Sequence, residues 1–206
     1  MMQPYEMEIS SRAKAFCNVV ANSICTNKVN ERVELESMLM WLMHALKTLR
    51  KNNHILYIVG NGGSAAVASH ALVDFVNVAK IHTQVLHECS LITCMANDFG
   101  YENVFSRVLE TRLCVGDILI AISSSGKSKN ICNAAETAAR LGCQVITFSG
   151  FQADNPLRRL GDVNFWLNSC DYGYVEVGHQ FLLHNLSDRF GVEKQNILMQ
   201  HETMTV

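Results

Sequence analysis

The stretch from His54 to Phe75 most constrains the fold. A short β-branched and aromatic run ends at a glycine-rich turn, residues 60–64, and an apolar run begins directly behind it. Glycine lets the backbone adopt positive φ and approach a ligand closely. A helix opening behind such a turn directs free N–H groups and its positive dipole end at that ligand. We therefore predict a strand, an anion-binding turn that uses Asn61 and Gly62, and a helix with Ser64 as its N-cap.

A serine-rich segment, residues 123–128, repeats this arrangement later in the chain. It follows a buried apolar run and precedes a helical pattern, so hydroxyls, backbone N–H groups and a helix N-terminus converge there. That combination predicts a phosphate-binding loop. The hydroxyls expected to bind are those of Ser123, Ser124, Ser125 and Ser128.

Strands alternate with helices after His54. We predict strands at 55–59, 81–86, 117–122, 143–148 and 163–167, and a last helix at 175–190. Such alternation indicates an α/β fold: a three-layer αβα sandwich around a five-stranded parallel sheet of flavodoxin type. Ligands bind such sheets beyond the carboxyl ends of the strands, and both glycine/serine turns are expected there. The polar tail, residues 191–206, is expected to be extended or disordered.

The segment before this core predicts two helices, residues 5–24 and 31–51, joined as a hairpin. The second helix has an apolar stripe that includes Met38, Trp41 and Leu42. The stripe is too wide for one partner, so we expect burial between subunits. The organisation expected for residues 1–206 is one domain, with oligomerisation helices at 1–52, a core at 53–190 and a tail at 191–206.

Composition narrows the function classes. The chain is 49% hydrophobic and 17% charged with a formal net charge of −2, so no basic surface for nucleic acid or membrane is indicated. No uncharged apolar run approaches the ~20 residues of a membrane-spanning helix, and residues 1–8 do not resemble a signal peptide. Eight cysteines form no CxxC pair, which predicts reduced residues of the core. We expect a cytoplasmic protein.

Four motifs together resemble the phosphoheptose isomerases, which have the sugar isomerase (SIS) fold. They are Gly60-Asn61-Gly62-Gly63-Ser64, Ala96-Asn97-Asp98-Phe99-Gly100, Phe105-Ser106-Arg107 and Ile122-Ser123-Ser124-Ser125-Gly126-Lys127-Ser128. The similarity spans roughly residues 50–190. It implies a homotetramer that converts sedoheptulose 7-phosphate to a mannoheptose 7-phosphate for lipopolysaccharide or capsule precursors. It also implies that Asn97 and Asp98 belong to the substrate site.

The resemblance also implies a cluster on two helices. The family places His and Glu four residues apart after the glycine turn, and Gln and His eight apart on the last helix. The matching positions here are His70 and Asp74, and Glu176 and His184. Helical periodicity independently puts each pair on one face. Two imidazoles and two carboxylates suit tetrahedral Zn²⁺, which some family members hold, and they equally suit acid–base catalysis.

An aldose–ketose isomerisation through an enediol needs a base over the carbon and an acid near the oxygens. His184 is the better acid because an imidazole titrates near neutral pH, and Asp74 or Glu176 is the base. Because Asp is one methylene shorter than Glu, Glu176 is expected to reach the carbon better than Asp74. Asp74 in place of Glu, Glu176 in place of Gln and Val78 in place of an expected arginine depart from the family. These departures leave open which sugar phosphate is the substrate. The alternative is a non-catalytic SIS protein that senses a sugar phosphate or binds a partner, as the DnaA-binding initiator proteins do.

Overall fold

The computed structural model describes residues 8–203, with side chains described as far as Val192. The helices are α1 Ile9–Ala21, α2 Leu35–Lys51, α3 Gly63–Asn77, α4 Cys89–Phe99, α5 Ser106–Arg112, α6 Lys129–Arg140 and α7 Tyr172–Thr203. The strands are β1 Ile24–Asn27, β2 Arg32–Val33, β3 Leu56–Val59, β4 Thr83–Val85, β5 Ile118–Ser123, β6 Gln144–Ser149 and β7 Val163–Trp166. Short 3-10 helices span Tyr101–Asn103 and Leu157–Arg159.

Within the described residues the sheet has seven strands in the order β2-β1-β7-β6-β5-β3-β4, and it is mixed. The prediction of a five-stranded, all-parallel sheet is therefore wrong. Strands β3 to β7 are parallel and follow the flavodoxin order. The two additional strands, β1 and β2, form a hairpin whose first strand pairs antiparallel with β7.

The hairpin lies where a plain connection between two helices was predicted. Cys25 pairs with Phe165 of β7 on one side and with Val33 of β2 on the other. Asn30 makes the turn with a φ of 62°, a conformation that asparagine tolerates better than most residues. A four-residue strand is too short for hydrophobic periodicity to reveal it.

Alternation along the strands divides the core into two layers. Leu56 and Ile58 of β3 pack on the side of α2, α3 and α7, whereas Tyr57 and Val59 pack on the side of α5 and α6. Burial on both faces is what the continuous apolar runs of parallel strands require. None of the helices described is long and apolar enough to span a membrane.

Three local predictions are corrected by packing. Met38 and Leu42 lie inside the core of this chain, so their burial does not require a second subunit, although Trp41 is 41% exposed. The polar tail is helical as far as Thr203, because Gly191 does not end α7; residues 204–206 lie outside the described residues. Only Cys25 and Cys143 among the eight free cysteines are buried.

Candidate active site

The glycine turn joins β3 to α3 at the carboxyl edge of the sheet. Gly62 adopts a φ of 52° and occupies the N-cap position, so α3 begins at Gly63 and the prediction of Ser64 as the N-cap is wrong. A side chain at Gly62 would be strained by this backbone conformation. Ser64 instead lies buried in the first turn of α3.

Asn61 is held in place by a second asparagine. Its amide group donates to Oδ1 of Asn130 and accepts from Nδ2 of Asn130, each over 2.9 Å. The hydroxyl of Tyr101 also donates to Asn61 Oδ1, over 3.2 Å. This reciprocal pair fixes the glycine turn against the first turn of α6. Asn61 therefore positions the site through Asn130, a residue that sequence reasoning missed.

His87 orients the turn from the other side. The backbone N–H of Gly60 donates to Nε2 of His87 over 3.3 Å. Burial lowers the pKa of His87, so the ring remains the neutral acceptor that this bond needs. No pattern around His87 distinguishes it from an ordinary structural histidine.

The serine segment forms a tight turn between β5 and α6. Ser123 donates to the hydroxyl of Ser128 over 3.1 Å, and the Lys127 N–H donates to Oγ of Ser125 over 3.2 Å. The hydroxyl of Ser124 is buried and has no hydrogen-bond partner among the described residues. Gly126 takes a φ of 63° and faces Asn155 so closely that a Cβ would not fit. One buried hydroxyl of the loop is therefore left without a partner among the described residues.

Both turns open into one cavity of about 320 Å³. The residues lining it include all the predicted hydroxyls and two residues of α7: Asn61, Gly62, Gly63, Ser64, Ile122, Ser123, Ser124, Ser125, Ser128, Tyr172 and Glu176. The carboxylate of Glu176 lies against Gly63, where a Cβ would collide with it. Glu176 thus occupies the N-terminal end of α3. Tyr172 carries no sequence signal, because only the approach of α7 brings it here.

Asp74 lies between two histidines a short distance along the same helices. Its Oδ2 is 2.8 Å from Nδ1 of His184 and 3.4 Å from Nε2 of His70. Ligand atoms of these three residues all lie within 4.8 Å of one another, which suits a metal ion held by two imidazoles and a carboxylate. Asp74 is 9% exposed, whereas the side chains of His70 and His184 are about half exposed.

The contact with Asp74 defines the chemistry of His184. The hydrogen bond to the Asp74 carboxylate raises the pKa of His184, and the charge of Asp188, 3.7 Å from Nε2, acts in the same direction. An ionised carboxylate only accepts hydrogen bonds, so Nδ1 carries a proton. Nε2 is then the ring atom available to exchange a proton with a substrate.

The serine cavity and the Asp74 cluster lie at two separate positions along the contact between α3 and α7. Glu176 and His184 are eight residues apart on α7, roughly two turns or about 12 Å along its axis. Neither His70, Asp74 nor His184 lines the cavity. A ligand whose phosphate lies at the serines can therefore reach His184 only with its far end. Glu176 lies outside the three-residue cluster of potential metal ligands.

Two predicted substrate residues are not brought to the cavity in this chain. Asn97 and Asp98 are exposed near the end of α4, where the Asn97 amide donates to Asp98 over 2.8 Å. They do not line the cavity, although Tyr101, just beyond α4, contacts Asn61. Their part in substrate binding stays a prediction.

This chain is similar to known proteins both in sequence and in structure. Residues 16–150 match the model of the SIS domain family. A phosphoheptose isomerase from Geotalea uraniireducens is 34% identical over 66% of this chain and 75% of its own length. One from Geotalea daltonii is 33% identical over 78% of this chain and 88% of its own length. The structure of a phosphoheptose isomerase, GmhA from Neisseria gonorrhoeae, superposes with a TM-score of 0.76 at 22% identity. That alignment covers 90% of this chain and 99% of the other.

Proposed function

Because this chain belongs to the phosphoheptose isomerase family of SIS-domain proteins, we propose that it isomerises sedoheptulose 7-phosphate. The product is D-glycero-D-manno-heptose 7-phosphate, a precursor for lipopolysaccharide or capsule. The observation that carries the proposal is the placement of the serine cavity and the Asp74–His184 pair along α3 and α7, which we propose to be the two ends of one substrate groove. A sugar phosphate that reacts at the carbon end remote from its phosphate fits this separation.

The serine loop binds the phosphate. The buried Ser124 hydroxyl has no other partner among the described residues, and the N-termini of α3 and α6 direct N–H groups and positive dipole ends into the same cavity. Binding the phosphate there fixes where the opposite end of the sugar lies along the groove, and this positioning lowers the entropic barrier of the reaction.

Asp74 and His184 carry the proton transfers. The raised pKa keeps His184 protonated nearer to neutral pH, so its Nε2 can donate a proton to the carbonyl oxygen and then take one back from the neighbouring hydroxyl as the new carbonyl forms. Asp74 accepts the proton removed from the carbon and returns it to the neighbouring carbon. Glu176 is the less suitable base because it lies beside Gly63 at the phosphate end. We assign it to contacts with the phosphate end of the sugar.

We propose, as the alternative to proton transfer by Asp74 and His184, that these two residues and His70 hold one Zn²⁺ through neutral imidazoles and a carboxylate, with Glu176 as the candidate for a further ligand. Two histidines and one carboxylate, leaving an open position, are the ligands of many catalytic zinc sites, and here they are already within 4.8 Å of one another. Bound zinc would polarise the sugar carbonyl as a Lewis acid. Zinc should raise the melting temperature of the wild type and leave that of His70→Ala unchanged.

We further propose that the protein acts as a cytoplasmic homotetramer. Four apolar side chains are exposed on α3 and α7, the two helices that carry the half-exposed histidines: Val73, Val76, Val177 and Phe181. A second copy would cover this face, exclude water from the cluster and strengthen its electrostatic interactions. Residues 1–52, which include exposed Met40 and Trp41, would supply further contacts around a single SIS domain.

A panel assay tests the proposed function. Sedoheptulose 7-phosphate and shorter ketose and aldose phosphates are incubated with the full-length protein, with and without zinc, and the products are separated. We expect turnover to be fastest with the seven-carbon substrate. Absence of turnover across the panel would refute the enzyme assignment and favour the non-catalytic sugar-phosphate-binding alternative.

A further inference from the structure

A second polar cleft, of about 480 Å³, lies beside the edge hairpin and shares no lining residue with the serine cavity. It is bounded by Thr26 of β1, Arg32 of β2, and the segment between β6 and β7 that carries Asp154, Arg158 and Arg159. A volume of this size is typical of small-molecule sites. Neither the glycine turn, the serine loop nor the histidine cluster contributes to it.

The cleft carries an excess of positive charge. Three guanidinium groups line it, those of Arg32, Arg158 and Arg159, against the single carboxylate of Asp154. Among the described residues, none of the three arginines forms an ion pair. Arginines elsewhere, such as Arg12 and Arg189, do pair with carboxylates. Arg158 donates through Nη1 to the carbonyl of Ala153 over 2.8 Å, whereas the guanidinium groups of Arg32 and Arg159 have no hydrogen bond or ion pair among the described residues and remain available to an external anion.

Buried hydrogen-bonding groups in and beside the cleft also lack partners. Thr26 is 3% exposed, and neither its hydroxyl nor Nε of Arg158 has a hydrogen-bond partner within the described chain. The same is true of the indole N–H of Trp166, over which the Arg158 guanidinium stacks at 4.8 Å. Such unpaired groups are rare in native proteins and call for an explanation.

We propose that this cleft binds the phosphate group of a phosphorylated small molecule. Arginine is the residue best suited to phosphate, since its planar fork donates two parallel hydrogen bonds to the anion. The Thr26 hydroxyl and Arg158 Nε supply further donors at the buried end. The site is separate from the catalytic phosphate loop, and the inference does not depend on the proposed isomerase activity.

The choice of variants follows from the contacts of Arg158. Its backbone N–H donates to Oδ1 of Asn155 over 3.0 Å, and Asn155 packs against Gly126 of the serine loop. The N–H of Leu157 also donates to the Gly126 carbonyl, over 3.1 Å. The Arg158 side chain itself donates through Nη1 to the carbonyl of Ala153 over 2.8 Å and stacks on Trp166, so replacing it would disturb the packing of the segment that makes these contacts. Arg32 and Arg159 are exposed, and substitutions there test the cleft alone.

Calorimetric titration of the full-length protein with inorganic phosphate, sorbitol 6-phosphate and AMP tests the proposal. We expect two binding sites per chain in the wild type. The double variant Arg32→Gln/Arg159→Gln should lose one of them, with affinity reduced at least about tenfold, and Ser124→Ala should weaken the other. Lys51→Gln/Arg112→Gln removes the same charge from exposed positions outside both sites and should bind as the wild type does.

Thr26→Val supplies a test that is independent of net charge. It removes a buried hydroxyl without a partner while keeping the shape of the side chain, so the melting temperature should not fall. The affinity of the cleft for the phosphate probes should drop several-fold in Thr26→Val, whereas Thr26→Ser should keep the wild-type affinity. Preference for sorbitol 6-phosphate or for AMP identifies a sugar or a nucleotide as the natural ligand class. A single site per chain, unaffected by Arg32→Gln/Arg159→Gln, or equal affinity for all three probes, would overturn the proposal.

Discussion

Oδ2 of Asp74 lies 2.8 Å from Nδ1 of His184, and this contact joins α3 to α7 across 110 residues of sequence. The carboxylate is largely buried while the imidazole is half exposed. Asp74 therefore fixes both the orientation of the ring and the nitrogen that carries the proton. The same Oδ2 also lies 3.4 Å from His70, which makes Asp74 the centre of the cluster.

His184→Ala is expected to reduce kcat for sedoheptulose 7-phosphate by at least about a hundredfold, the usual scale for a general acid or base. The measurement is a coupled or chromatographic assay of heptose formation. His82→Ala replaces an exposed histidine outside the groove and serves as the control. A wild-type kcat in His184→Ala would remove His184 from the mechanism.

Asp74→Asn is expected to lower kcat and to shift its pH dependence. The Asp74 carboxylate raises the pKa of His184, so its loss lowers that pKa. Activity that requires the protonated ring falls as pH rises through its pKa, and in the variant this fall should begin at lower pH. A pH–rate profile measures it. An unshifted profile would contradict the coupling of the two residues.

Ser124→Ala is expected to raise the KM for the sugar phosphate about tenfold, because a hydrogen bond to a charged group contributes about 1.5–3 kcal/mol. The buried hydroxyl has no partner among the described residues, so its removal should not lower the melting temperature. Steady-state kinetics and thermal denaturation check both statements. Ser11→Ala, at an exposed position on α1, is the matched control.

Glu176→Gln is expected to strengthen the binding of inorganic phosphate by about threefold to tenfold. Two like charges in one partly solvated cavity repel by about 1 kcal/mol or more, and the amide removes that repulsion while keeping the shape. If Glu176 were the catalytic base, the same variant would lose kcat as severely as Asp74→Asn. Measuring phosphate affinity and kcat together separates the two roles.

His179→Gln is expected to make the free energy of unfolding less dependent on pH in the acidic range. Burial lowers the pKa of His179 from 6.5 to about 4, and its Nε2 lies 3.1 Å from the carbonyl of Ser149. Between pH 6.5 and about pH 4 the unfolded chain binds a proton that the folded chain does not. The free energy of unfolding of the wild type should therefore fall by about 3 kcal/mol on acidification across this range. Urea titrations at pH 7 and pH 4 measure this loss. It should persist in His44→Gln, at an exposed position.

Val73→Asp and Phe181→Asp are expected to dissociate the proposed tetramer. Both side chains are more than half exposed in the single chain, and each carboxylate would be buried in the assembly without a partner. Light scattering at micromolar concentration gives the mass. Val115→Asp, on an exposed loop, should remain tetrameric. A monomeric wild type would refute the assembly.

The sequence by itself determined the parallel core and the two glycine- and serine-rich turns at the strand ends. Long apolar strands, glycines at strand ends and serines ahead of a helix are local signals, because backbone conformation and helix N-termini depend on neighbouring residues. The serines and the glycine turn therefore meet in one cavity as predicted. Helical spacing likewise predicted that His70 and Asp74 share a face.

The tertiary structure alone decided what depends on distant segments. The pairing of β1 with β7 joins residues about 140 positions apart. The four residues of β1 are too few for a hydrophobic periodicity that would predict this strand. The approach of α7 to α3 brought Glu176 to Gly63 and His184 to Asp74, and so separated the two carboxylates that the sequence offered as alternative bases, with Glu176 favoured. Side-chain roles here follow from which helix packs against which, and packing is a property of the whole chain.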